Sequence, residues 1–265
     1  MDKGVNMKKI FGLLLIYILF ATTVTAKDLR FVQIDSVRYS KDNNSETLAK
    51  VIKDINKQKD IDFIVFTGDN IDRPDIENLK GFISAAKKLH KPYYVVIGDK
   101  DVNKHKDLSK KDYQKFVRKK VSNIKAKETN YTFEKDGVVF FIVDGAKDVI
   151  PSSNGYYKDD VVEWVDANLN FYNDKNVVIL QHFPLIPPEN NENYVTFKPQ
   201  KYLEVIQKHK NVKAVISGHF GINKEETVNG IVHISTAPIP MYRVIDIIDC
   251  TSKTPSIWAE LIEVK

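Results

Sequence analysis

Carboxylates and imidazoles recur in this sequence directly after apolar runs. Asp35-Ser36 follow 29–34, Gly68-Asp69-Asn70 follow 63–67, and Gly98-Asp99-Lys100-Asp101 follow 93–97. His182 comes just after the run 177–180, and His219 follows Ser217-Gly218 at the end of 212–217. Asp69, Asp99, His182 and His219 make a ligand set suited to a borderline divalent metal such as Zn²⁺, Mn²⁺ or Fe. Singly, an Asp after a strand is commonly a turn or helix cap, and a lone His is commonly a satisfied core residue. The ordered recurrence is what points to a metal. Glycine before Asp69, Asp99 and His219 lets the chain turn sharply at those points.

For these residues to meet, the apolar runs must be strands whose carboxyl ends share one edge, where open α/β sheets carry their ligand crevice. The intervening segments fit. Leu48, Val51, Ile52 and Ile55 fall at helical spacing in 45–58, as do Ile76, Leu79, Ile83 and Ala86 in 75–89. Strand, helix and strand in alternation predict parallel βαβ units. A third helix is expected over 110–121. Segments 131–134 and 138–143, joined through Asp136-Gly137, read as a hairpin. Helices are expected over 158–170 and 202–209, and the last strands over 231–235 and 242–249. Together these predict an α/β fold in one domain, 27–265: a four-layer α/β/β/α sandwich of two mixed sheets.

The blocks Phe66-Thr67-Gly68-Asp69-Asn70, Ile97-Gly98-Asp99-Lys100-Asp101, Gln181-His182-Phe183-Pro184 and Ser217-Gly218-His219-Phe220-Gly221 resemble the successive motifs of calcineurin-like metallophosphoesterases over residues 29–249. The resemblance implies a two-metal centre that hydrolyses phosphate esters. It assigns one metal to Asp69, Asp99, His182 and His219. The other half departs from the family. Where the family has Asp and His after the first strand, this chain has Ser36 and Arg38; where it has the last His, this chain has Gly221. One metal per chain is therefore expected. Asp35 lies one residue from the family's Asp and becomes a ligand only if a bulge re-aims it.

Arg38 is expected to stand in for the missing cation, since guanidinium is always charged and binds phosphate bidentately; the alternative is a solvated loop residue. Lys100 occupies the position of the family's leaving-group acid, a His. Lysine is a poor proton donor near neutrality but can stabilise phosphate charge. Asn70 and Asp101, beside the ligands, are expected to contact substrate. Phe183 and Phe220 are expected to pack beside the ligand histidines; the alternative is that they line a substrate pocket. His90, His105 and His209 read as surface residues and His233 as part of a strand.

The function this implies is a metal-dependent phosphoesterase acting on a small phosphate ester or phosphodiester. The alternative is an inactive, exported binding module on the same fold. The 265 residues carry 40 Lys and Arg against 35 Asp and Glu, and the lysines are scattered over helix surfaces, so no nucleic-acid stripe is expected. Lys3, Lys8 and Lys9, an apolar run at 10–21 and Val24-Thr25-Ala26 read as a signal peptide over 1–26, and so as a secreted or periplasmic protein; an uncleaved anchor at 10–21 is the alternative. Its loss would lower the net charge from +5 to +3, through three lysines and one aspartate. Cys250, alone, makes no internal disulfide and is expected to be buried near a strand end.

Overall fold

The computed structural model describes residues 27–106, 108–189 and 194–265. The expected signal peptide, 1–26, lies outside the described residues. The elements run β1 (Leu29–Ile34), α1 (Ser45–Ile55), β2 (Phe63–Phe66), α2 (Ile76–Ala86), β3 (Tyr93–Val95), α3 (Lys110–Lys120), β4 (Tyr131–Lys135) and β5 (Val138–Val143). They continue with α4 (Asp159–Phe171), β6 (Val177–Gln181), α5 (Gln200–Lys208), β7 (Val212–Ser217), β8 (Lys224–Val228), β9 (Ile231–Ser235), β10 (Met241–Ile248) and β11 (Ser256–Glu263).

One sheet has the order β11-β10-β1-β2-β3 and the other β4-β5-β6-β7-β9-β8. Within each, the central strands are parallel (β1, β2 and β3 in the first; β5, β6, β7 and β9 in the second) and the flanking pairs antiparallel. The β-runs are apolar on both faces because both faces are covered. Between the sheets, Phe31 and Phe63 stack at 4.8 Å and meet Phe140 of the second sheet at 5.5 and 4.9 Å. Outside, α2 packs Phe82 on Phe66, and α4 packs Trp164 on Phe141. This is the expected four-layer sandwich of two mixed sheets.

Two strands depart from the sequence reading. β8 and β11 are both outermost strands. β8 reads Lys-Glu-Glu-Thr-Val and carries no apolar run; β11 is apolar at Ile257, Trp258, Ala259, Leu261 and Ile262, on both faces and without regular alternation, and no residue of either strand is fully buried. Helix ends also shift. α1 stops at Ile55, and Gln58 beyond it donates to the Tyr242 hydroxyl at 2.9 Å. Cys250 is buried just after β10. No helix among the described residues is long and apolar enough to cross a membrane.

Candidate metal centre

Because β1 to β3 and β5 to β7 run parallel within their sheets, each sheet delivers its strand-end loops to one edge, and the two edges meet. Thr67 links them. The His182 ring at the end of β6 places Nδ1 2.7 Å from the Thr67 carbonyl, a bond in which Nδ1 carries the proton and leaves the Nε2 lone pair free. Nε2 faces Asp99 Oδ1 at 3.3 Å, Asp69 Oδ1 at 3.4 Å and His219 Nδ1 at 3.1 Å. His219 Nδ1 is 3.2 Å from Asp99 Oδ1. The ligand atoms of Asp99, His182 and His219 all lie within 4.8 Å of one another. Asp69 flanks that triad through His182.

The arrangement suits a cation. Asp99 Oδ1, which faces both imidazoles, is buried and lacks an aligned hydrogen-bond partner, a costly state for a protein atom left to itself. Burial alone would lower the His182 pKa, but Asp69, Asp35 and Asp99 outweigh it and raise it well above the ordinary range. Burial works to raise Asp99, yet the two imidazoles hold it well below the usual carboxylate range. Carboxylates crowded around a fully buried imidazole demand positive charge, and a divalent metal on these O and N donors supplies it.

Backbone geometry fixes the ligands. Gly68, at φ 104°, passes so close to His182 that a side chain there would overlap the imidazole. A side chain on Gly218 would overlap the Asp35 carboxylate.

Asp35 approaches the triad only from behind, with Oδ1 3.7 Å from His182 Nδ1 and away from the ligand-facing Nε2, which corrects its expected place among the ligands. It is fully buried. Oδ1 accepts from the Thr67 hydroxyl at 2.9 Å; Oδ2 accepts from the Ser36 hydroxyl at 2.7 Å and the His219 amide at 3.1 Å. The strand continues regularly into a bridge with Pro238, so no bulge turns the carboxylate round. Asp35 instead positions the His219 loop.

Asn70 and Asp101 are also corrected. Both are fully buried behind the ligand loops. Asp101 accepts from the Gly98 amide at 2.8 Å, the Ile71 amide at 3.0 Å and the Asn70 amide nitrogen at 3.0 Å, and Asn70 also donates to the Val96 carbonyl and the Tyr113 hydroxyl. Burial, with Asp69 adding to it, pushes the Asp101 carboxyl up to about 8. These side chains shape the loops rather than face a substrate.

Arg38 lies where the resemblance puts the missing metal's ligands. Its backbone takes φ 49°, its amide donates to the Asp69 carbonyl at 2.8 Å, and its Nε stands 3.6 Å from Asp69 Oδ2. It is tied to the site, not free in solvent. Ser36 is consumed by Asp35, and Gly221 offers no side chain. The Lys100 amide donates to Asp69 Oδ1 at 3.0 Å, and its side chain is half-buried.

Phe183 is fully buried against both ligand imidazoles, at 4.8 and 4.7 Å, as expected of packing. Phe220 is half-buried, 6.0 Å from His219. Tyr194, which the sequence does not single out, sits partly exposed 5.5 Å from His219. His90 and His105 are exposed and His233 lies on β9, as expected. His209 does end a helix, but its ring is largely covered and pairs with Asp166 at 2.6 Å.

A family model described as calcineurin-like phosphoesterase matches residues 39–222. The chain belongs to that family. Its members are metal-dependent hydrolases of phosphate esters, consistent with the donor set above. A curated relative, a probable glycerophosphodiester phosphodiesterase of Arcobacter nitrofigilis, is 23% identical over 225 residues, covering 83% of this chain and 79% of the relative. Among solved structures, a dimetal phosphatase from Danio rerio is similar with a TM-score of 0.65 at 13% identity, over 89% of this chain and 99% of that one. GAP50, described as the anchor in the inner membrane complex of Plasmodium, is similar with a TM-score of 0.57 at 12% identity, over 90% of this chain and 89% of that one. At these identities the structural likeness is one of fold.

Proposed function

We propose that this family member is a phosphoesterase working with one divalent metal, Zn, Mn or Fe, held by Asp69, Asp99, His182 and His219. The observation that carries this is the convergence of Asp99 Oδ1, His182 Nε2 and His219 Nδ1 within 4.8 Å. When bound, such a metal activates water and polarises the phosphoryl oxygen. Arg38, already beside Asp69, binds the phosphate oxygens that a second metal would otherwise hold. Lys100 adds positive charge but is a weak proton donor to a leaving group. The substrate class is therefore a small phosphodiester or an ester with a good leaving group. The chain acts outside the cytoplasm, on the strength of the signal-type segment 1–26.

A second reading is favoured by one specific observation: Ser36, Arg38 and Gly221 replace three of the first metal's ligands in the family pattern, leaving only Asp69. On that reading the protein is an exported binding module on an inherited enzyme fold, and one neighbour of the same fold is described as an anchor.

Metal content per chain separates the two, measured by elemental mass spectrometry on the parent and Asp99→Ala proteins, followed by hydrolysis of bis(4-nitrophenyl) phosphate. A single metal, lost in Asp99→Ala together with hydrolysis, is the expected result. No metal after incubation with Zn²⁺ or Mn²⁺ would sink the hydrolase. Metal without turnover would select the binding module.

A further inference from the structure

The segment from Lys110 to Glu128 carries eight lysines and arginines against two carboxylates, an excess of six, where the whole chain's excess is five. Lys111, Lys115, Arg118 and Lys127 are exposed and line a cleft of about 530 Å³ in which Glu128 is the only carboxylate. None of the four forms an ion pair among the described residues. Lys110, which also lines the cleft, is already paired with Asp144 at 2.8 Å. Lys110 lines a second, adjoining cleft as well, formed by the loop after β5. That loop presents Val149 and Ile150, 51% and 78% exposed, between Lys147 and Lys158. It is held in place just before its tip: the Lys104 amide donates to the Asp148 carbonyl at 2.7 Å and the Lys110 amide to the Asp148 carboxylate at 3.2 Å. Two large aliphatic side chains are thus fixed outward beside a field of unpaired cations.

We propose that this face docks on an anionic lipid surface, with Val149 and Ile150 entering the acyl boundary and the α3 cations meeting the headgroup phosphates. Each half of the pattern has its own reason. Unpaired lysines and arginines draw anionic headgroups, and each is worth roughly fivefold in binding near a charged bilayer. Exposed branched aliphatics are costly in water and repaid in lipid. Nucleic acid would account for the cations but not for an aliphatic tip, since bases stack on aromatic faces. The loop leaves the carboxyl end of β5, parallel to β6, whose carboxyl end delivers His182. Docking would therefore bring the metal-site edge toward the lipid. The inference stands without the proposed hydrolysis.

Residues 27–265 contain every described strand and helix, so that span can be tested without the apolar segment before it. The test is its co-sedimentation with vesicles of phosphatidylcholine alone and of phosphatidylcholine mixed with phosphatidylglycerol. Binding should require phosphatidylglycerol and weaken with salt. It should fall on the order of a hundredfold when Lys111, Lys115 and Arg118 are changed to Ser, and about tenfold in Ile150→Ser. Both variants should melt with the parent, because all four side chains are exposed. Absence of binding, equal binding to both vesicles, or binding that Ile150→Ser leaves intact would overturn the proposal. In the last case, competition by a DNA duplex would assign the face to nucleic acid.

Discussion

Arg38 has the plainest consequence of any single residue. Its guanidinium adjoins Asp69 but is not needed to hold the metal. Arg38→Ala should thus leave metal content unchanged while weakening inorganic phosphate binding by about ten- to a hundredfold, as expected for a lost charge-assisted pair. Arg38→Lys should recover only part, because an ammonium cannot bind two oxygens side by side. Isothermal titration with phosphate checks both. Asp101 carries a different kind of burden. Asp101→Ala strands the amides of Gly98 and Ile71 in the interior and should cost about 3 kcal/mol in urea denaturation. Asp69, Asp99, His182 and His219 were legible in the sequence because each sits immediately beyond an apolar run, so their meeting follows from parallel strands. Asp35, Asn70 and Asp101 occupy similar places, yet their side chains turn behind the loops. Sequence shows that a polar residue ends a strand, but loop dihedrals decide which way it faces.

The strand-end loops are built to a tolerance of less than one methyl group. In Gly218→Ala the new methyl would press on the fully buried Asp35 carboxylate and push the His219 loop out of line. Overpacking of this kind costs about 1–3 kcal/mol, and weaker Zn²⁺ or Mn²⁺ binding should accompany it in titrations of the variant. β8 and β9 supply a pH-dependent element. His233 on β9 stands opposite Glu226 on β8, and its pKa is lowered from 6.5 by burial, with Glu226 opposing. The unfolded chain therefore protonates this imidazole first, and its contribution to stability is lost as the pH falls below 6.5. His233→Gln should lose less stability than the parent over that interval in paired thermal melts. The inner strands were legible as apolar runs, and α1 and α2 from the helical spacing of their apolar residues. β8 was not, since a polar edge strand leaves almost no apolar alternation to read; β11 was not, since its apolar residues Ile257, Trp258, Ala259, Leu261 and Ile262 fall on both faces and break the alternation.

The candidate metal centre draws on both sheets. Asp69 and Asp99 come from loops of the first sheet, His182 and His219 from loops of the second, and the His182–Thr67 bond already joins the two. Occupancy should therefore stabilise the entire domain. At a free metal concentration a hundred times Kd the gain is about 2.7 kcal/mol, which in a chain of this size raises Tm by roughly 5–10 °C. Scanning calorimetry with Zn²⁺ or Mn²⁺ and then with chelator should show that rise and its reversal; an unchanged Tm would mean the four residues bind no ion in the folded state. The two-sheet architecture was legible from the order of strands and helices, but not the pairing of β1 with β10, because no local pattern records which distant strands become neighbours. That pairing has a consequence in time. β1 lies between β2 and β10, and Leu29 is matched with Ile247. β1 thus leaves the ribosome long before β10 and waits for it before both its flanks are closed. Until then the nascent chain carries an open sheet edge that any helper protein, or any neighbouring nascent chain, can reach.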